Sequence, residues 1–216
     1  RSMLNTVIES LKKKGSGTTD KGVERAQKIM NAAREIFATE GYAGLSMRSV
    51  AARVNVSLST VQHYYQDKDT LVEAVLLYMI DDYRVAIEQL NQSMTGKTQI
   101  ERLMAAMDLF LAEVRRPDVA GVFMEIWSLA NRNPAAAKIL DKVRVREQKE
   151  FLRLIKGLVP QLSERDYELR AMLMIAQIDG LTVQLSRQSL GQWNHDQLVD
   201  AARDALLRLA TTDSAN

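Results

Sequence analysis

The sequence predicts an all-α protein, and three observations carry that prediction. Apolar residues recur near the helical period of 3.6 along almost the whole chain, and no run alternates as a half-buried strand would. Breakers are few, with 10 Gly and 3 Pro in 216 residues. Most of them fall between the apolar-periodic segments, so the elements can be justified one by one.

Residues 1–22, which include KKKGSGTTDKG, are polar and glycine-rich and form an expected flexible basic arm. The first helix is expected from Val23 to Glu40, with Ala26, Ile29, Met30, Ala33, Ile36 and Phe37 on one face. Gly41 stands where a left-handed C′ residue would stop it. Ser46 caps a short helix to about Val54, Ser57 another to about Tyr65, and Asp67 a long one to about Gln92. Gly96 breaks that helix, and Thr98 with Glu101 makes a capping box for the next, which runs to about Val114. After Arg116-Pro117 a helix continues to about Asn131. Asn133-Pro134 opens another, because proline suits the first helical position, and Pro160 is expected to end it. Ser163 with Asp166 caps a helix to about Gln188, Gly191 follows, and Asn194 with Gln197 caps the last, to about Ala210. Nine helices result, with no repeat period.

The informative pair is the shortest. In SMRSVAARVNVSLSTVQHYY two brief helices are joined by a tight turn, the pattern of a helix-turn-helix. Ala51 is small where the second helix must cross the first. Asn55, four residues later, tolerates the positive φ of the turn, and Val61, ten residues after the alanine, packs back. Helix 57–65 would then lie in the major groove. Leu58, Ser59, Thr60, Gln62 and His63 face base edges or the adjacent backbone, Gln62 having the donor and acceptor that adenine demands. Tyr64 and Lys68 are expected on phosphate, with Ser57 at the cap of that helix and Ser46 and Arg48 opening the preceding one. Tyr65 is expected to pack on the first helix with its hydroxyl wet.

Total charge adds little. The formal net charge is +2, and residues 1–70 carry 11 Lys/Arg against 7 Asp/Glu while the remainder is slightly acidic. Much of that excess sits at Lys12, Lys13 and Lys14, so placement rather than total charge must carry a case for nucleic acid. There is no cysteine, hence neither a disulfide framework nor a thiolate metal site. No run of signal-peptide length opens the chain and none approaches the roughly 20 apolar residues of a membrane span, so a soluble cytoplasmic protein is expected, with no membrane partner.

AREIFATEGYAGLSMRSVAARVNVSLSTVQHYYQDKDTLVEAV resembles the DNA-binding segment of the TetR family of bacterial transcriptional regulators. Phe37, Gly41, Tyr42, Ser46, Val50, Ala51, Val56, Ser57, Lys68 and Leu71 match the family's pattern. Asn55 departs from its usual glycine, Gln62 from a tyrosine, and Tyr64-Tyr65 from His-Phe. MEIWSLANRNP at 124–134 and IDGLTVQL at 178–185 resemble the branch of the betaine-synthesis repressor. The resemblance implies a three-helix DNA-binding domain over 23–70, a linking helix, and an effector-binding and dimerisation domain over 71–216.

That second domain has more apolar positions than one-sided packing needs. The helix around 171–183, AMLMIAQIDGLTV, is apolar nearly all round, so one side can face a second subunit. Leu173, Ala176, Gly180 and Val183, with Leu198, Ala202, Ala205, Leu206 and Leu209 of the last helix, are expected at a two-fold homodimer interface. Such symmetry suits an inverted-repeat operator in double-stranded DNA. A larger monomeric core is the competing reading. Met79, Tyr83, Met104, Met107, Phe110, Phe123, Met124, Trp127, Phe151 and Met174 are soft, bulky side chains that, with Gln177 and Asp179 as polar handles, are expected to line a pocket for a small, mostly apolar effector. Plain core is the alternative. The family resemblance implies that the effector would release a repressor from its operator by changing the spacing of the recognition helices, transmitted by helix 68–92.

An enzyme is not expected. The two Glu-x-x-His pairs of a di-iron site are missing, since Thr60 and Gln192 precede the two histidines by three residues, and no phosphate loop or G-x-S-x-G elbow occurs. No cofactor and no metal is called for, and Asp81-Asp82 reads as a solvated helix face. The rival function is a helical co-regulator that acts through protein contacts without binding DNA itself.

Overall fold

The computed structural model describes residues 20–186 and 194–213, and the described residues form nine helices and no strand. These are α1 (Asp20–Gly44), α2 (Met47–Arg53), α3 (Leu58–Tyr64), α4 (Lys68–Ser93), α5 (Gln99–Glu113), α6 (Pro117–Ala130), α7 (Pro134–Ile155), α8 (Glu164–Leu185) and α9 (His195–Thr211). The basic arm through residue 19, including its three lysines, and the turn at Gly191 lie outside the described residues.

Local capping chemistry sets most boundaries. Ser46 and Ser49 exchange the two bonds of a capping box, as do Thr98 with Glu101, Ser163 with Asp166 and Asn194 with Gln197. Asp67 accepts from the Thr70 amide at 2.7 Å, and Asn133 from the amides of Ala135 and Ala136 at 2.9 and 3.2 Å. Each such cap contributes about 1 kcal/mol. Gly41 takes the left-handed φ of 69° expected of it, but helical geometry resumes after the kink, so α1 extends to Gly44.

Two expectations are corrected. Pro160 does not end α7. The helix stops at Ile155 and turns at Gly157, whose φ of 88° suits a residue without a Cβ, and the Tyr167 hydroxyl then binds both the amide and the carbonyl of Val159. Asp81 is not on a solvated face; it is buried.

The described residues divide into two compact units, one within 20–82 and 121–143, the other within 83–120, 144–186 and 194–213. In the first, Ala26, Ile29, Ala33, Ile36 and Phe37 of α1 are buried, as are Val50, Ala51 and Val61 of the short helices and Leu71, Val72, Val75 and Leu76 of α4. The first unit therefore runs past residue 70, because the opening three turns of α4 belong to its core. In the second, Ile87, Leu103, Met107, Leu111, Phe151, Ile155, Ala171, Met174, Val199, Ala202 and Leu206 form one apolar cluster.

Candidate nucleic-acid interface and effector site

The turn between α2 and α3 is built by the three residues that sequence spacing selects. Asn55 has φ 54° and is the one non-glycine residue with positive φ among those described. Ala51 and Val61 are buried, and the Val56 amide donates to the Ala51 carbonyl at 3.0 Å, closing the corner. The Ser57 hydroxyl caps α3 by accepting from the Thr60 amide at 3.2 Å and lies 2.9 and 2.8 Å from the hydroxyls of Ser59 and Thr60.

Packing determines which face α3 presents. Val61 and Tyr65 point inward, both essentially inaccessible, so Ser59, Gln62 and His63 are exposed on the opposite side. Leu58, Thr60 and Tyr64 flank them, half-buried, with the Tyr64 ring edge-on to His63 at 5.2 Å. Ser46, Arg48 and Ser57 are exposed at the starts of the two helices. Nine of the ten residues expected on DNA are therefore exposed or half-buried, seven of them on or capping α3 and Ser46 and Arg48 at the start of α2.

The tenth is Lys68. The Lys68 ammonium donates to the Tyr42 carbonyl and sits 3.5 Å from the centroid of the Tyr42 ring. Its burial lowers its pKa against the pull of Asp69 and Glu125. An ammonium engaged in this way is not presented to a phosphate, which corrects the expectation for Lys68. Tyr65 packs as expected, but its hydroxyl is not wet; it donates to the Ala26 carbonyl at 3.3 Å, and burial raises its pKa.

Sequence spacing missed what surrounds Tyr42. Its hydroxyl donates to Asp69 Oδ1 at 2.7 Å and its amide to Glu125 Oε1 at 2.6 Å, 83 residues away in sequence. The Gly41 kink makes room for that carboxylate, since a Cβ at Gly41 would lie 3.0 Å from Glu125 Oε1.

The residues expected to line an effector pocket fall in both units. Tyr83, Met104, Met107, Phe110, Phe151, Met174 and Gln177 belong to the second, and Met79, Phe123, Met124 and Trp127 to the first. Met124 and Trp127 are 43% and 42% exposed and are not interior lining: α6 buries Val122 and Ile126, and these two residues lie around the helix from that face. Met79 is buried and Phe123 half-buried.

In the second unit the rings of Tyr83, Phe110 and Phe151 form a column with centroid spacings of 5.4 and 4.8 Å. Near it, Arg144 binds Glu147 at 2.7 Å and Asp179 at 2.5 Å. Burial, with the neighbouring Asp179 charge, pushes the Glu147 carboxyl up to about 7 despite Arg144, and burial raises Asp179 too. The Tyr83 hydroxyl is also shifted upward, chiefly by burial and then by Glu113 and Glu147. A separate open groove of about 640 Å³ lies between α5 and α9, lined by Asp108, Leu111, Ala112, Arg115, Val199 and Arg203; it contains none of the residues expected to bind an effector.

The dimer expectation divides by helix. On α8, Leu169, Met172, Leu173 and Val183 are 56, 56, 48 and 48% exposed, with Ala176 and Gly180 also exposed between them. Their spacing puts them on one stripe, opposite the buried Ala171, Met174, Ile175, Leu181 and Leu185. On α9, by contrast, Ala202 and Leu206 are buried in the chain's own core, with Leu198 and Leu209 packed against it and Ala205 half-buried. Its exposed positions include Asp200, Asp204 and Arg208. The apolar stripe of α9 is used within the protomer, so Ala202 and Leu206 are corrected as interface residues.

A model of the tetR family of bacterial regulatory proteins matches residues 29–75, and a model of the BetI-type transcriptional repressor C-terminal domain matches residues 99–211, more than half of the chain. An uncharacterised HTH-type transcriptional regulator in the dhlA 5′ region of Xanthobacter autotrophicus is 27% identical over 161 residues, covering 74% of this chain and 78% of its own. The HTH-type transcriptional regulator BetI of Paraburkholderia phymatum is 26% identical over 160 residues, covering 74% and 79%. A TetR transcription regulator from Haloarcula marismortui shares the fold, with a TM-score of 0.67 at 21% identity over 87% of this chain and 96% of its own.

Proposed function

The chain belongs to the TetR family of bacterial regulatory proteins, as a DNA-binding transcriptional regulator of the repressor class, and from that premise we propose that it binds an inverted-repeat operator as a homodimer and leaves it when a small effector binds. The observation that carries the reading is the outward set Ser59, Gln62 and His63 on α3, held there by the burial of Val61 and Tyr65 on its inner side. A helix with that polar face needs a groove lined with donors and acceptors, and the major groove supplies one. Arg48, Ser46, Ser57 and Tyr64 contact phosphate around it, Leu58 and Thr60 complete the face, and Lys68 is left to its internal bonds.

The homodimer is supported by the uncovered apolar stripe of α8, from Leu169 to Val183. The domain that recognises DNA spans residues 23–70, and effector binding and dimerisation fall to residues 71–216. The effector is a small, mostly apolar molecule bound against the Tyr83–Phe110–Phe151 column, where Gln177 and the Arg144, Glu147 and Asp179 charges meet its polar end. The protein works in the cytoplasm, where such an operator lies. Among the described residues no helix is long and apolar enough to cross a membrane.

Selection from a random double-stranded DNA pool tests the reading. An enriched inverted repeat, bound less tightly as salt rises, is expected, since phosphate contacts release counterions. Failure to enrich any sequence at either of two salt concentrations would favour a co-regulator that acts through protein contacts.

A further inference from the structure

We propose that Glu125 is a positioning residue through which α6 sets the orientation of the helix-turn-helix, an inference that rests on the DNA-binding reading. The helix-turn-helix is joined to the rest of the chain at two places, residues 41–46 before α2 and residues 65–68 after α3. Tyr42 ties the two joints together. Its hydroxyl donates to Asp69, its carbonyl accepts from Lys68, and its ring lies under the Lys68 ammonium. The α6 carboxylate holds that staple from outside by accepting the Tyr42 amide at 2.6 Å, a charge-assisted bond that is strong and steep in distance.

Two features make α6 a lever here and not a passive neighbour. Gly121, one turn before Glu125, lies so close to α1 that an added Cβ would fall 2.5 Å from the Ala38 carbonyl oxygen. Contact at this spacing leaves no slack, so a shift of α6 toward α1 must be passed on. The second feature is the kink at Gly41. Its φ of 69° turns the Tyr42 amide out to a side chain 83 residues away, and its missing Cβ admits the Glu125 carboxyl. Within this unit, therefore, both joints of the reading head respond to one carboxylate on α6, in addition to the covalent route through α4.

The test uses the full chain and the operator recovered by DNA selection. Operator affinity is measured by fluorescence anisotropy for wild type, Glu125→Ala, Glu125→Gln and Gly121→Ala, each checked by thermal melting, with hydrogen exchange followed at amides 42–65. Glu125→Ala is expected to weaken operator binding about fivefold or more, the lower end of ordinary coupling between sites, and to speed exchange over 42–65. Glu125→Gln keeps an acceptor for the Tyr42 amide and should stay within about threefold of wild type. Gly121→Ala leaves the carboxylate in place but forces α6 off α1, and should weaken binding like Glu125→Ala. If Glu125→Ala and Gly121→Ala both bind operator within twofold of wild type, the proposal is overturned. Loss of binding in Glu125→Gln equal to that in Glu125→Ala overturns it too, because restoring the acceptor would then have restored nothing. If wild type enriches no DNA at all, the functional reading fails by itself, and the exchange data decide whether Glu125 positions the helix-turn-helix: rates over 42–65 unchanged by Glu125→Ala would overturn that role.

Discussion

Gln62 and Tyr64 sit two residues apart on α3 and are expected to do different work, because Gln62 is exposed at the centre of the polar face while Tyr64 is half-buried at its margin beside His63. Gln62→Ala should cost about 1–3 kcal/mol on the preferred operator and relax preference at one position, whereas Tyr64→Ala should weaken all sequences alike. Binding of both variants to a panel of single-base operator variants separates the two roles; a changed base preference with undiminished affinity in Tyr64→Ala would reverse the assignment. A second residue-scale prediction concerns pH. The Glu147 carboxyl, ordinarily near 4.5, is pushed up to about 7 in the folded protein by burial and Asp179, with Arg144 opposing. Between those two values the folded state holds a proton that the unfolded state has released. Stability therefore falls as pH rises through that window, and the penalty is complete above about 7. Glu147→Gln cannot titrate, so its stability relative to wild type should increase from pH 5 to pH 8 in urea denaturation. A gap that is the same at both would show that Glu147 does not titrate in this range.

At the scale of elements, the turn between α2 and α3 depends on Asn55 at φ 54°. Asn tolerates that conformation because its short polar side chain bonds locally, while a branched side chain meets the full left-handed penalty of about 1–2 kcal/mol. Asn55→Gly should hold or raise the melting temperature, and Asn55→Val should lower it together with operator affinity. The same scale explains the different fates of α8 and α9. The stripe of α9 is one-sided and is consumed by its own core through Ala202 and Leu206. Helix α8 is apolar on two sides, and only one of them is covered within the protomer.

For the whole molecule, that uncovered side makes oligomeric state the decisive property. Leu173→Asp places a charge in the middle of the α8 stripe, where burial without a partner is costly, and leaves the protomer core untouched. The variant should sediment as a monomer and bind an inverted repeat far more weakly than wild type, while its melting curve still reports a folded chain. A Leu173→Asp protein that remains dimeric would move the interface off α8. The chain's division into two compact units, with α4, α6 and α7 each contributing residues to both, gives three covalent routes from one unit to the other. Helix α6 carries the proposed link to the helix-turn-helix through Glu125 and Tyr42, and α4 is the helix to which the family resemblance assigns transmission.

What the sequence by itself determined is whatever acts over a few residues. Capping pairs at Thr98, Ser163 and Asn194 are closed by partners three positions on, and Ser46 is a cap by residue type, so these helix starts are legible in the chain. The corner between α2 and α3 is legible for the same reason: Ala51, Asn55 and Val61 are related by fixed offsets within it. Where local signals compete, the chain does not rank them, and α7 ends ahead of Gly157 before Pro160 is reached. Only the tertiary structure decided which face of a helix is covered and which charges meet. The apolar stripe of α9 and the exposed stripe of α8 look alike in sequence, because periodicity reports that a face is apolar and not what covers it. Lys68 could be spent on Tyr42 only after α1 and α4 had been brought together. The Glu125 bond to the Tyr42 amide joins positions 83 residues apart, a distance at which no spacing rule operates and only the fold can supply the partner.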